Sequence, residues 1–225
     1  DGTIESSSSI IPPKGNCPAK GEKGYKSNWE NLDKGIDYDC IQDSRDNQYY
    51  KTVNIGGQTW MAENLNYSDE TRIPNLKDGN WCYGNEAKNC ESNGRLYSWA
   101  ATMDLDSLYN GKNAENLIKE KHQGVCPSGW HVPNNDEWDL LEKNVDDLDG
   151  VGFSALLSGY YPYVNYAASD FELLGSEAYF WTASQYEYHR GYINASSRRL
   201  EKGNSSLART YYYKSFGQSV RCLKD

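Results

Sequence analysis

CPSGWHVPNNDEWDLLEKNV, residues 126–145, carries the clearest local instruction in the chain. Pro133 leads into a helix with Asn134 as its N-cap and Glu137 at the third helical position. In that capping-box arrangement two side chains satisfy backbone N–H groups that the first turn leaves without partners. Trp138, Leu141, Val145 and Leu148 follow at helical spacing and predict one apolar face. Asp136 and Glu137 add negative charge at the positive end of the helix dipole.

Outward from this helix the pattern changes to strands. YKTVNI (residues 50–55) alternates, Gly56-Gly57 signals a tight hairpin, and QTWMAENL (58–65) returns. Leu96, Trp99, Ala100 and Met103 stand at i, i+3, i+4 and i+7, which predicts a second helix. Trp81 to Gly94 reads as a disulfide-closed loop, and a polar connection runs from Asp104 to Gly124. Beyond Gly150 come short aromatic pieces: FSALLSGYYPYV, AYFWTAS, RTYYYKSF and QSVRCLKD. Early helices and late short strands predict an α+β fold. Residues 1–16, DGTIESSSSIIPPKGN, read as a flexible Ser/Pro-rich tether. Residues 17–42 read as a Cys-bounded cap segment and 43–225 as the main domain.

The chain has 225 residues, enough to bury a core, and is 37% apolar and 13% aromatic. Its 19 Tyr and 7 Trp suit half-buried surfaces and binding faces, because each ring joins an apolar body to a polar edge. A formal charge of −9 argues against nucleic acid, which needs a basic face. Positive charge gathers late, at Arg190, Arg198, Arg199, Lys202 and Arg209, and reads as a solvated loop face. No run is long and apolar enough for a membrane span. No charged-then-apolar leader opens the chain, so a signal peptide is expected to have been removed.

Six cysteines, at 17, 40, 82, 90, 126 and 222, lack the CxxC pairs and histidine partners of a zinc site. Three disulfides formed in an oxidising compartment are the expectation. Of the fifteen pairings that six cysteines allow, we favour Cys17–Cys40, Cys82–Cys90 and Cys126–Cys222.

Four ordered motifs then carry a family resemblance. They are Val53 to Leu65 (VNIGGQTWMAENL), Gly94 to Ala101 (GRLYSWAA), Cys126 to Pro133 with Glu137-Trp138, and Ser219 to Cys222 (SVRC). In that order the chain resembles the Fibrobacter succinogenes major paralogous domain over about residues 43–225. The resemblance implies a C-type-lectin-like fold with two helices, small twisted antiparallel sheets, long loops, and paired N- and C-terminal strands. It also implies a bacterial protein that is secreted or held at the outer-membrane surface, often by a lipid anchor upstream of a Ser-rich spacer such as residues 5–9. The Trp-His-Val-Pro and Glu-Trp element is similar to one in formylglycine-generating enzymes, which share that fold. The family supplies no established activity.

Function must therefore be argued from sites. His122, His131 and His189 fall in unrelated contexts, with no nucleophile motif beside them. His131 reads as a satisfied core histidine. Glu63, Asp136, Glu137 and Asp139 are the carboxylates a glycosidase could use, but nothing in their spacing sets two of them across a cleft. The sugar-binding triplets of calcium-dependent lectins, Glu-Pro-Asn and Gln-Pro-Asp, do not occur. Asp104, Asp106 and Asn110, and separately Asp146, Asp147 and Asp149, offer loop oxygens but lack EF-hand spacing. No metal site is assigned; a structural calcium ion stays open.

Aromatic loops give the strongest functional hint. Tyr160, Tyr161, Tyr163 and Tyr166 crowd one segment, and Tyr186, Tyr188 and His189 another. Trp81 and Tyr83 lie on the short disulfide loop. Trp60, Trp99, Trp130 and Trp138, inside the motifs, are assigned to the core. The expected ligand-binding set is Trp81, Tyr83, Tyr161, Tyr163, Tyr186, Tyr188, His189 and Arg190. The expected function is a non-catalytic extracellular module that binds polysaccharide, with no cofactor. A structural or adhesive surface protein is the main alternative, and a glycosidase or formylglycine-generating-like enzyme the weaker one.

Overall fold

The computed structural model describes residues 17–145, 148, 151–163, 170–188, 192–204 and 206–225, without the side chains of 187, 188 and 192. The proposed tether therefore lies outside the described residues. Strands β1 (Asp39–Gln42), β2 (Tyr49–Ile55) and β3 (Gln58–Met61) form an antiparallel meander. Next come β4 (Asn80–Trp81), α1 (Ala87–Asn93), β5 (Leu96–Tyr97), α2 (Trp99–Thr102), β6 (Trp130–His131) and α3 (Asn135–Lys143). The second half contributes β7 (Ser158–Tyr160), β8 (Glu172–Leu174), β9 (Glu177–Tyr188), β10 (Tyr192–Glu201), β11 (Ala208–Tyr213) and β12 (Leu223–Lys224).

Two five-stranded sheets result, in the orders β1-β2-β3-β12-β6 and β11-β10-β9-β7-β8, with β4-β5 as a separate pair. The chain end thus returns beside β3, Leu223 opposite Trp60. The hairpin at Gly56-Gly57 is present, with Ile55 opposite Gln58. Both glycines have positive φ, 58° and 87°, as a two-residue turn matched to strand twist requires. Gly159 is needed for another reason: a Cβ there would stand 2.0 Å from the Glu172 carbonyl, so only glycine lets β7 and β8 close.

The mixed α/β character expected from the sequence is present, but two details differ. There are three α-helices among the described residues, and β7 runs parallel to β9 through Gly159 and Ala178, so the second sheet is not wholly antiparallel. The helix expected across Leu96–Met103 is instead strand β5, an N-cap at Ser98, and the single turn α2. Every residue from Leu96 to Met103 is buried, so the apolar spacing there reported burial on all sides rather than one helical face.

Helix α3 forms as read. Asn134 Oδ1 accepts the N–H groups of Asp136 (2.9 Å) and Glu137 (3.0 Å), and Glu137 Oε2 accepts the Asn134 N–H at 2.9 Å. Its apolar face sets Trp138 against Trp60 (ring centroids 4.7 Å apart) and Phe180 (5.6 Å). Phe153 closes this cluster between α3 and the sheets. A second cluster surrounds Trp99 and Trp181, whose indole N–H groups donate to the carbonyls of Thr182 (2.9 Å) and Tyr97 (2.7 Å). Burying both rings therefore leaves neither N–H orphaned.

The cysteines pair 17–40, 82–90 and 126–222, the pairing favoured above, and none is free. Three disulfides suggest an oxidising environment such as the cell exterior. Among the described residues no helix is long and apolar enough to cross a membrane. Within the 17–42 segment, β1 is the edge strand of the first sheet and Trp29 is buried. Buried Glu63 anchors that segment: it accepts from Trp29 Nε1 (2.8 Å), Lys26 Nζ (3.0 Å) and the Lys51 N–H (2.6 Å).

His131 is buried, with Nε2 2.8 Å from Glu137 Oε1 and Nδ1 2.8 Å from Asp225 Oδ1. Burial pulls its pKa down, but the Glu137 and Asp225 hydrogen bonds overcome this and leave it raised above 6.5. The folded state therefore holds this proton more tightly than the unfolded chain does. Its contribution is complete below about pH 6.5 and is lost as pH rises through the raised value. We expect thermal melts from pH 5 to 9 to show this loss in the native chain relative to a His131→Gln variant. Parallel curves for the two proteins would contradict the assignment.

Candidate functional site

The site is built on the second sheet. In its ladder Asn194 of β10 stands opposite Tyr186 of β9 on one side and Tyr213 of β11 on the other. Ser196, two residues on, stands opposite Tyr211. Paired residues share a face, and alternate residues along a strand return to it. Phe180, Arg198, Ser196, Asn194, Tyr186, Tyr211 and Tyr213 therefore lie on one side of the sheet. Tyr179, Trp181 and Tyr212 lie on the other, where Tyr212 packs against Tyr160, Tyr179 and Phe216.

Helix α3 covers only one end of the first face. Trp138 stacks on Phe180, Asn135 Oδ1 accepts from Ser196 Oγ at 2.7 Å, and Asp139 takes both Arg198 and Arg209. Beyond the helix, three tyrosines of this face are exposed among the described residues. Tyr186 and Tyr211 are each 42% exposed and Tyr213 is 52% exposed. The rings of Tyr186 and Tyr211 lie side by side, centroids 4.3 Å apart and tilted by 33°. Asn194 sits in the row between Tyr186 and Tyr213, and its Oδ1 has no hydrogen-bond partner among the described residues. Large exposed rings gathered on one sheet face are uncommon on a surface with no partner.

Tyr186 also walls a groove of about 610 Å³ with Asn113, Glu115, Glu120 and Ser184. The loop that rims it is held by buried Lys214. Its Nζ donates to the carbonyls of Tyr109 (3.1 Å) and Lys112 (2.9 Å) and to Gln185 Oε1, and lies 4.1 Å from the Trp99 ring centroid. Burial lowers the Lys214 pKa to about 7. Gln185 Oε1 also accepts the Ala114 N–H at 3.0 Å, so β9 and the loop are tied at two points.

Trp81, Tyr83, Tyr161 and Tyr163 come together in a second aromatic group. Tyr161 stands 4.9 Å from Trp81, 5.8 Å from Tyr163 and 4.4 Å from Phe171. Tyr83 packs on Phe171 and donates its hydroxyl to the Phe171 carbonyl at 3.0 Å. Tyr161 is 6% exposed, so it serves as the packed centre of this group rather than as a binding ring. Trp81, Tyr83 and Tyr163 are half-buried around it. The turn at 213–217 bridges the two groups: Tyr213 packs on Phe216, and Ser215 Oγ donates to the Tyr163 carbonyl at 2.6 Å.

Of the other expected residues, His189, Arg190, Tyr166 and the side chain of Tyr188 lie outside the described residues, as do Asp146, Asp147 and Asp149. The late arginines need correcting. Arg198 is buried on β10 against Asp139 and Glu142, Arg209 pairs with Asp139, and Arg199 with Glu177 and Glu201. These three lie on strands and are ion-paired, with only Arg198 buried and Arg199 and Arg209 partly exposed; Lys202 is exposed as expected, and Arg190 lies outside the described residues. Glu63 and Glu137 both spend their oxygens on structural donors. Asp104, Asp106 and Asn110 each accept a separate local hydrogen bond, from Asn75 Nδ2, the Leu108 N–H and the Ala100 N–H. Among the described residues no group of three or more His, Cys, Asp or Glu converges on a common point.

Tyr211 and Tyr213 were not among the expected site residues. The signal was available: in Arg209 to Tyr213 a period of two puts Arg209, Tyr211 and Tyr213 outward and Thr210 and Tyr212 inward, as the burial confirms.

Residues 53–148 match the model of the Fibrobacter succinogenes major domain family. Comparison with curated proteins finds no match, and comparison with solved structures finds none either.

Proposed function

The chain carries a Fibrobacter succinogenes major domain over residues 53–148, and we propose that it works as a non-catalytic extracellular module that binds polysaccharide. The carrying observation is the end of the second sheet where, among the described residues, Tyr186, Tyr211 and Tyr213 stand exposed together. A pyranose packs its C–H face on such rings, and its hydroxyls meet the phenols beside them. Paired phenol rings spaced along a strand ladder suit an extended chain of sugars better than one enclosed ring. The groove beside Tyr186 extends the same surface with amide and carboxylate groups.

A C-type-lectin-like scaffold is part of the proposal. The return of β12 beside β3, the Cys126–Cys222 link and the long loops between short elements support it. So does a location outside the cell or on the outer-membrane surface, which three disulfides favour. The structural uses of Glu63 and Glu137 and the oxidation of all six cysteines support binding over hydrolysis or thiol-based oxidation.

Pull-down against insoluble plant polysaccharides, followed by titration with the soluble polymer that binds, tests this reading. The Tyr186→Ala/Tyr211→Ala double variant is expected to bind at least about thirty-fold more weakly, the effect of losing ~2 kcal/mol at a central aromatic pair. Trp81→Ala is expected to change affinity less than threefold. Retention of no polysaccharide, or equal affinity in the double variant, would count against it. Sedimentation of the native chain as an oligomer that the same double variant dissolves would favour the adhesive alternative.

A further inference from the structure

A cleft of about 790 Å³ lies away from the tyrosine face, between the 17–42 segment and the main body. Its size is that of a small-molecule site. Tyr25 and Asn28 line it from the 17–42 segment, and Gln48, Tyr49, Asn66 and Glu91 line it from the main body. The walls are held in place before any ligand arrives. Cys17–Cys40 staples the first, Glu63 ties Lys26 and Trp29 to the main body, and Asn28 Nδ2 donates to the Ser92 carbonyl at 3.3 Å.

The lining is polar but nearly balanced in charge, with Lys23 and Lys26 against Asp46, Glu63 and Glu91, and Lys26 is paired with Glu63 at 3.0 Å. Amides dominate the rest. Asn28 Oδ1 from the segment and Asn66 Oδ1 from the main body are acceptors closed to solvent and without a hydrogen-bond partner among the described residues, so a ligand hydroxyl reaches either one only when its amide side chain turns toward the cleft. Native folds seldom leave such acceptors without donors. Asn66 Nδ2 meets Gln48 Oε1 at 3.4 Å, and Gln48 Nε2 donates to Asp46 Oδ2 at 2.7 Å, so a relay of side chains backs this wall. Burial raises the Asp46 pKa. A ligand suited to this lining is uncharged, rich in hydroxyl donors, and has an apolar face for Tyr25 and Tyr49.

We propose that this cleft is a second ligand site, taking a neutral oligosaccharide, and that the disulfide-bonded 17–42 segment supplies one of its walls. The site is separate from the tyrosine face and does not depend on polysaccharide binding there.

Isothermal titration of the full chain with cellohexaose, xylohexaose and mannohexaose tests the proposal. At least one of them is expected to bind, with affinity reduced tenfold or more by Gln48→Ala and by Asn66→Leu. The Tyr186→Ala/Tyr211→Ala variant is expected to keep that affinity within twofold. Gln48 is half-exposed, so its variant reports even where Asn66→Leu perturbs folding; near-ultraviolet circular dichroism checks both. The proposal is overturned if none of the three sugars binds, if Gln48→Ala binds unchanged, or if only the tyrosine double variant loses affinity. The last result would leave the tyrosine-face reading standing, and a cleft effect with no polysaccharide retention would do the reverse.

Discussion

Arg221→Ala is expected to remove cooperative folding at 25 °C. Arg221 is fully buried, yet its guanidinium reaches four acceptors: Asn64 Oδ1 (2.7 Å) and the carbonyls of Met61 (3.1 Å), Phe153 (2.6 Å) and Ser154 (2.8 Å). It also lies 4.6 Å from the Phe153 ring centroid. These contacts hold the 153–154 turn, where Ser154 adopts a positive φ of 50° that only surrounding structure can enforce. Asn64 spreads the network further, donating to the Asn93 carbonyl (2.9 Å) and to Ser158 Oγ (2.8 Å). Truncation would leave several buried acceptors without donors, each costing ~1–3 kcal/mol, and add a cavity. The total of about 5 kcal/mol or more equals much of a domain's stability. Urea denaturation followed by near-ultraviolet circular dichroism reads the outcome. A cooperative transition weakened by less than about 2 kcal/mol would show that the network is not what holds the two sheets together.

Loss of the Cys126–Cys222 bond ranks second. Its cysteines are 96 residues apart in sequence, against 23 for Cys17–Cys40 and 8 for Cys82–Cys90. In the chain-entropy account these separations correspond to about 4.7, 3.4 and 2.5 kcal/mol. The bond also fixes β12 between β3 and β6, because Cys222 precedes the strand directly. We expect a Cys126→Ala/Cys222→Ala variant to melt roughly 10–15 °C lower, the shift that such a loss produces in a domain of this size. The Cys82→Ala/Cys90→Ala variant should fall by about half as much. Equal shifts for the two would mean that local packing outweighs loop closure.

What could be read in advance follows the range of the interactions. The α3 capping box and the Gly56-Gly57 hairpin are settled by neighbours within four residues, so the sequence displays them. Leu96 to Met103 misled because complete burial produces apolar residues at every spacing, helical ones included. Arg198 misled because its partners, Asp139 and Glu142, lie some 60 residues earlier on α3. Composition shows the charge but not its pairing. Tyr211 and Tyr213 were legible by alternation, although only the register to Asn194 and Tyr186 reveals that they share a face with them. The cleft joins Asn28 to Asn66 across segments distant in sequence, and no local pattern announces it.

The division of the aromatic residues is the main result for function. Tryptophans build the two cores, Tyr161 centres a packed group, and Tyr186, Tyr211 and Tyr213 remain facing solvent. Amide-resolved NMR of the full chain, titrated with the soluble polysaccharide identified by pull-down, tests that division most directly. The account expects the largest shift changes at Tyr186, Asn194, Tyr211 and Tyr213, with little change at Trp81, Tyr83 and Tyr163. Changes confined to Trp81, Tyr83 and Tyr163, or no changes on β9–β11 at saturating polymer, would contradict it.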